Sequence, residues 1–158
     1  MTRTADHSNL ELQHVYRGKP ELVFKAWSDP EALMRWGAPG EGWRTELQAF
    51  QFEVGGEQIT EFGPAGGPVF VNRMRYYDIV PGIRIVMAGG LTRGAETLFA
   101  GVLTVEFTRE GEEGCRLLLT EQGVFLDGQD LPENHRDGWL EMLRRLELEL
   151  PAPSTINA

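Results

Sequence analysis

Residues 134–150, NHRDGWLEMLRRLELEL, constrain this chain more than any other stretch. At about 100° per residue, Trp139, Met142, Leu143, Leu146 and Leu150 share one stripe of a helix, with His135 at its edge. Glu141, Arg144 and Arg145 lie opposite, spaced with Glu149 for i,i+4 ion pairs. Leu148 falls on the polar side. Asp130 and Glu133 have the spacing of a capping box around Pro132. A long helix with one apolar stripe must cover a broad apolar surface, and in this chain only a sheet face offers one.

The sheet is predicted upstream. LELQHVYR (10–17) reads as a strand, and KPELVFKAW (19–27) as a short helix with Pro20 in its first turn. Ser28-Asp29-Pro30 ends that helix and starts a second, EALMRW, capped by Asp29. After the loop GAPGEG (37–42), strands are predicted near 43–54, 57–63, 68–79, 83–88, 97–109 and 115–123. Gly55-Gly56, GPAGGP (63–68), Pro81-Gly82, Gly89-Gly90 and GEEG (111–114) punctuate them as turns. Short turns between consecutive strands imply an antiparallel meander. A single domain over residues 9–150 is expected, with flexible termini at 1–8 and 151–158.

Charge narrows the partners. Fifteen basic against twenty-four acidic residues leave a net charge of −9, which opposes binding to nucleic acid or an anionic membrane surface. Cys115 is the only cysteine, so no internal disulfide forms, and a reducing, cytoplasmic setting is expected. No stretch has the length of a transmembrane helix. His7, His14 and His135 are far apart, and no HxxxH, CxxC or acidic loop is present, so neither metal nor cofactor is expected. GxSxG and a phosphate-binding loop are absent too.

The order strand, two short helices, six strands, long C-terminal helix resembles the helix-grip fold of the START-like (SRPBCC) superfamily. The resemblance implies an α+β fold: a curved antiparallel sheet of about six to seven strands wrapped around the C-terminal helix. VFKAWSDPEALMRW (23–36) resembles that family's helix, Ala-Trp, Ser-Asp-Pro break and second Trp. EVGGEQ (53–58) is similar to its Gly-Gly turn, YYDIVPGIRI (76–85) to its strand-Pro-strand step, and HRDGWLEML (135–143) to the start of its last helix. Together these resemble bacterial homologues of the heat-shock-protein-90 ATPase activator. His14 stands where those homologues often carry Arg. Gln51 and Glu53 stand where they often carry Asp and then Arg or Pro. The activator itself has a further N-terminal domain for which this chain has no room, so a chaperone partner follows by family analogy only.

In the helix-grip fold, sheet and last helix enclose a cavity. Strand alternation puts Phe99, Gly101, Leu103 and Val105 on one face, and Leu117, Leu119 and Glu121 on one face of the next strand. Met74 with Tyr76, and Ile85 with Met87, are the expected neighbours. Gly101 is expected to leave space under the helix, and Met74, Met87 and Met142 to adapt to apolar ligands. Phe99, Leu103, Leu117 and Leu119 could instead simply fill a core. Trp139 is expected to pack on the sheet, with Gly138 allowing close approach, and Trp27 to lie in the core. Trp36 and Trp43 flank a Gly/Pro loop and are placed either at a pocket mouth or in packing. Glu121 either binds a ligand donor, acts as a general base, or reaches solvent. His135 either meets it as an acid/base pair or stays exposed in the first turn.

The leading expectation is a soluble protein that binds a hydrophobic or aromatic small molecule in an internal cavity. Its ligand residues would be Trp36, Trp43, Met74, Tyr76, Met87, Phe99, Gly101, Leu119, Glu121, His135, Trp139, Met142 and Leu143. Two alternatives stand beside it. One is a polyketide-cyclase-like or dehydratase-like enzyme using Glu121 and His135. The other is a chaperone-linked interaction module. Exposed strand edges could also pair two copies as a homodimer.

Overall fold

A computed structural model describes residues 2–151. Seven strands form one antiparallel sheet in the order β1-β7-β6-β5-β4-β3-β2. They are β1 (Ala5–Tyr16), β2 (Trp43–Phe50), β3 (Glu57–Pro64), β4 (Phe70–Val80), β5 (Arg84–Arg93), β6 (Glu96–Glu110) and β7 (Gly114–Leu126). After β1 come helices α1 (Pro20–Ser28) and α2 (Pro30–Trp36), and α3 (Pro132–Leu146) closes the fold. Asp29 ends α1 and caps α2, its Oδ1 accepting from the Glu31 N–H at 3.0 Å. The antiparallel meander read from turn spacing and the α+β fold implied by the resemblance are both present.

Three boundaries move. β1 begins at Ala5, which pairs with Leu126, so residues 5–8 are sheet and not a loose lead-in. The cause is length: β7 runs to Leu126 and offers those residues a partner. Gly89-Gly90 is no turn but lies inside β5, which turns only at Gly94. The C-terminal helix begins at Pro132 and tightens after Leu146 into a 3-10 turn over Glu147–Glu149, leaving Leu148 83% exposed. The tail expected beyond Pro151 lies outside the described residues.

The expected capping box does not form either. Leu131 is the cap residue of α3, and Asp130 instead accepts from the Leu131 N–H, the Asn134 side chain and His135. The core sits between α1, α2, α3 and the concave face of the sheet. Tyr16, Val23, Trp36, Ile85, Val105, Leu117, Leu119, Leu143 and Leu146 are almost wholly excluded from water there. Burying such side chains stabilises the fold by roughly 1.5–3 kcal/mol each before entropy is counted.

Register lines the concave face up in rows. Tyr76, Met87, Leu103, Glu121 and Leu10 form one row across β4, β5, β6, β7 and β1. The next row is Met74, Gly89, Gly101 and Gly123, and the third is Asn72, Leu91, Phe99 and Phe125. Three aligned glycines let the sheet bend sharply. A Cβ on Gly89 would collide with the Arg73 carbonyl oxygen, and one on Gly123 with the Phe99 ring. Gly101 therefore does not leave an empty space under the helix: a Cβ there would meet Phe99 Cζ at 2.7 Å, because the Phe99 ring lies over the gap.

Gly138 is also not where the sequence reading puts it. It is exposed on α3 with open space around its missing Cβ. The reason is helical phase: Trp139 and Leu143 face the fold and Gly138 points away from it. Gly138→Ala should therefore stabilise the protein by about 1 kcal/mol, from helix propensity alone, and raise the thermal midpoint by roughly 2–4 °C. Gly123→Ala should lower stability by about 1–3 kcal/mol through overpacking against Phe99. Thermal unfolding followed by circular dichroism checks both, and a destabilising Gly138→Ala would return that residue to a contact with the sheet.

Candidate functional site

The site is built where α3 crosses β7. Alternation along β7 turns Glu121 to the concave side, and His135 and Trp139, four residues apart, share the helix face above it. Glu121 Oε1 accepts from His135 Nδ1 at 2.7 Å, and Oε2 accepts from Trp139 Nε1 at 3.1 Å. His135 donates its other proton, from Nε2, to Asp130 Oδ2 at 2.7 Å. The edges of Phe99 and Phe125 close on the imidazole, with ring centroids 4.5 and 4.8 Å from it. Of the alternatives left open by the sequence, the Glu121–His135 pairing is the one present, and neither side chain reaches freely into solvent: 12% of Glu121 and 15% of His135 is exposed.

Electrostatics follow from that geometry. Burial alone would lower the His135 pKa, but hydrogen bonds to Asp130 and Glu121, and their charges, outweigh it and push it up to about 9. Burial likewise opposes the charge on Asp130, yet the donors His135 and Asn134 hold its carboxyl below its usual range. At neutral pH His135 is an imidazolium with both nitrogens donating to carboxylates. It has no lone pair with which to accept a proton.

The remaining expected residues divide sharply. Leu119, Leu143, Tyr76 and Met87 are core, each 3% exposed or less. The Tyr76 hydroxyl donates to Gln58 Oε1 at 2.6 Å. Trp36 is 1% exposed and donates to the Ala26 carbonyl at 2.8 Å, so it is a core residue and not part of a pocket mouth. It is buried because α2 folds back on α1 and lays it against Trp27, with ring centroids 4.7 Å apart. Trp43, on edge strand β2, is 44% exposed and starts an aromatic ladder through Phe62 to Phe70. Met74, Trp139 and Met142 are partly buried against the core.

Two hollows open on the surface away from the Glu121 cluster. One of about 540 Å³ is lined by His7, Asn9, Ala100 and Gln122, and another of about 580 Å³ lies between the start of α1 and the β4–β5 turn. Sequence reasoning missed the roles of Asp130, read as a cap, and of Gln58, which it placed on a strand but gave no partner. It also missed the Trp27–Trp139 stack, at 6.0 Å and 20°. Only the row register, which pairs Gln58 with Met74, could have revealed Gln58. Among the described residues no cluster of His, Cys, Asp and Glu is arranged to hold a metal ion, and no helix is long and apolar enough to cross a membrane.

Residues 17–150 match the family model described as Activator of Hsp90 ATPase homolog 1-like protein. The structure is similar to that of the Mll3558 protein from Rhizobium loti, with 35% identity over 93% of this chain and 99% of that one and a TM-score of 0.83. It is also similar to an uncharacterized protein from Rhizobium leguminosarum, with 32% identity over 94% and 97% and a TM-score of 0.84. Protein CV1439 from Chromobacterium violaceum is 28% identical over 91% and 98%, with a TM-score of 0.79. No curated protein matches the chain.

The raised pKa of His135 fixes a pH dependence. The stabilisation it contributes is fully present below its ordinary pKa of 6.5 and is lost as pH rises through about 9. Wild-type urea midpoints should fall across that window, while those of His135→Gln should change less. Parallel curves for the two proteins would remove the imidazolium from the account.

Proposed function

The chain belongs to the family of Activator of Hsp90 ATPase homolog 1-like proteins, and from that premise we propose that it binds an apolar, ring-containing small molecule on the concave side of its sheet. One observation carries this reading: α3 packs over β1 and α2, while the apolar face of the opposite wing stays half uncovered. Leu47, Phe62, Phe70, Met74 and Leu91 are each only partly buried there, and Trp43 stands exposed at the outer end. Such a surface is unfavourable in water unless something covers it. Met74 and Met142, at the border with the core, supply adaptable contacts. The ligand site in this reading is an open cleft beside α3 and not a closed chamber beneath it.

Catalysis by Glu121 and His135 is the weaker reading. Both carboxylates already share the imidazolium, so acid–base turnover at neutral pH would have to break the cluster first. In the binding reading the cluster instead holds the α3 wall of the cleft in place. A cytoplasmic setting accords with the buried free thiol of Cys115.

Titration with N-phenyl-1-naphthylamine, whose emission rises in apolar surroundings, tests the proposal. Saturable binding is expected, weakened about tenfold or more by Phe70→Asp, which places a charge on the half-buried wing. Absence of saturation, or equal binding by the variant, would end the case for this cleft.

A further inference from the structure

The sheet ends in two edge strands, β1 and β2, and they are built differently. A free edge offers its N–H and C=O groups to any further strand, and folds guard against this with short strands, bulges, proline or charged side chains, lysine above all. β2 carries such guards: it is eight residues long, is bulged between Leu47 and Ala49, and bears Arg44. β1 runs twelve residues, Ala5–Tyr16, in unbroken register with β7, and has no proline, lysine or arginine. Its two carboxylates, Asp6 and Glu11, are the only guard it has. The hydrogen-bond phase of β1 is fixed one step beyond the Ala5–Leu126 pair, where the Asp127 N–H donates to the Thr4 carbonyl at 2.9 Å. Antiparallel pairs alternate between bonded and non-bonded, so the even-numbered residues of β1 bond to β7 and the odd-numbered ones turn both backbone groups outward. Those outward residues are Ala5, His7, Asn9, Glu11, Gln13 and Val15, and each has an exposed side chain.

The strand is also complementary to itself. Two antiparallel copies must pair odd residues with odd ones, which leaves few registers. With Leu10 on the two-fold axis, Ala5 meets Val15, His7 meets Gln13 and Asn9 meets Glu11, each pair occurring twice. The Asn9 amide then faces the Glu11 carboxylate, and on the other face Asp6 comes opposite His14 and Leu10 meets its own counterpart. His14 bonds Glu147 of its own chain through Nε2 at 2.6 Å, so its Nδ1 is the atom that would meet Asp6. Moving the axis to Glu11 sets two like charges face to face, and moving it to Asn9 sets Asp6 against the apolar Leu12 and shortens the overlap. We propose that the outer edge of β1 is an interaction surface for a second copy of this chain, joining the two sheets into one continuous antiparallel sheet with Leu10 at the two-fold axis. On the convex side a hollow lined by His7, Asn9 and Gln122 flanks this edge and gives side chains of the second copy room. The net charge of −9 on each copy opposes the encounter, and salt screens that repulsion. The edge lies across the sheet from the β2–β4 wing, so the interface does not depend on the proposed ligand cleft.

Sedimentation velocity at about 0.5 M salt, where repulsion between the acidic copies is screened, should show a wild-type species of twice the chain mass. Asn9→Pro removes only an outward N–H, a position an edge strand tolerates. The thermal midpoint should therefore change little, while self-association weakens about tenfold or more. Asn9→Asp sets a second carboxylate against Glu11 of the other copy and should weaken association without altering the backbone, whatever the proline does to folding. Single cysteines read the register, since the native Cys115 is buried and stays out of the reaction. Under mild oxidation Leu10→Cys should cross-link two copies, and Asn9→Cys and Glu11→Cys far less, because only residue 10 faces its own counterpart. A monomer at every concentration, a dimer that survives both Asn9→Pro and Asn9→Asp, or cross-linking strongest at residue 9 or 11 would overturn the proposal.

Discussion

One carboxylate joins the last helix to the sheet. Glu121 projects from β7 and accepts from His135 and Trp139, two donors one helical turn apart on α3. Both bonds are sheltered from water, where hydrogen bonds to a charged group are worth most. Asp130 completes the arrangement from the loop before the helix, so the start of α3 is tied to the sheet and to its own lead-in at once. Further along, the Tyr16 hydroxyl donates to the Leu143 carbonyl at 2.7 Å, and Arg145 donates to the carbonyls of Trp36 and Ala38. The apolar stripe drives α3 onto the fold, and these polar contacts fix its position along the sheet.

That position decides what is left uncovered. With α3 committed to β1 and α2, the curve of the sheet carries the β2–β4 wing away from it. The glycine row supplies much of the bend, because backbones at Gly89, Gly101 and Gly123 approach neighbours that any side chain would strike. Bulges at Leu47/Ala49, Tyr76/Asp78 and Leu91/Thr92 add to it. Phe99 then fills the trough the glycines create and presses on His135, so the same bend that opens the wing also buries the ion cluster. The half-covered wing and the structural clamp are two consequences of one curvature.

The chain itself made several features legible. Period-2 alternation placed Phe99, Leu103, Leu117, Leu119 and Glu121 on the concave face, and the structure agrees because side-chain direction in a strand is a local property. The 3.6-residue stripe placed His135, Trp139 and Leu143 on one helix face for the same reason. Punctuation by glycine was less dependable. Gly55-Gly56 and Pro81-Gly82 are turns, but Gly89-Gly90 has the same composition and lies inside a strand. Composition cannot tell a glycine needed for a positive φ from one needed because another backbone passes close by.

Local chemistry along the chain therefore determined the element order, the antiparallel meander, the inward parity of each strand and the apolar face of α3. Tertiary structure alone decided that Glu121 meets His135 and Trp139, that Trp36 is buried and that Gly138 faces water. Each of those outcomes depends on where one element rests on another. Period and composition constrain which way a side chain leaves its own backbone, but they carry no information about the distance to a group arriving from elsewhere in the chain.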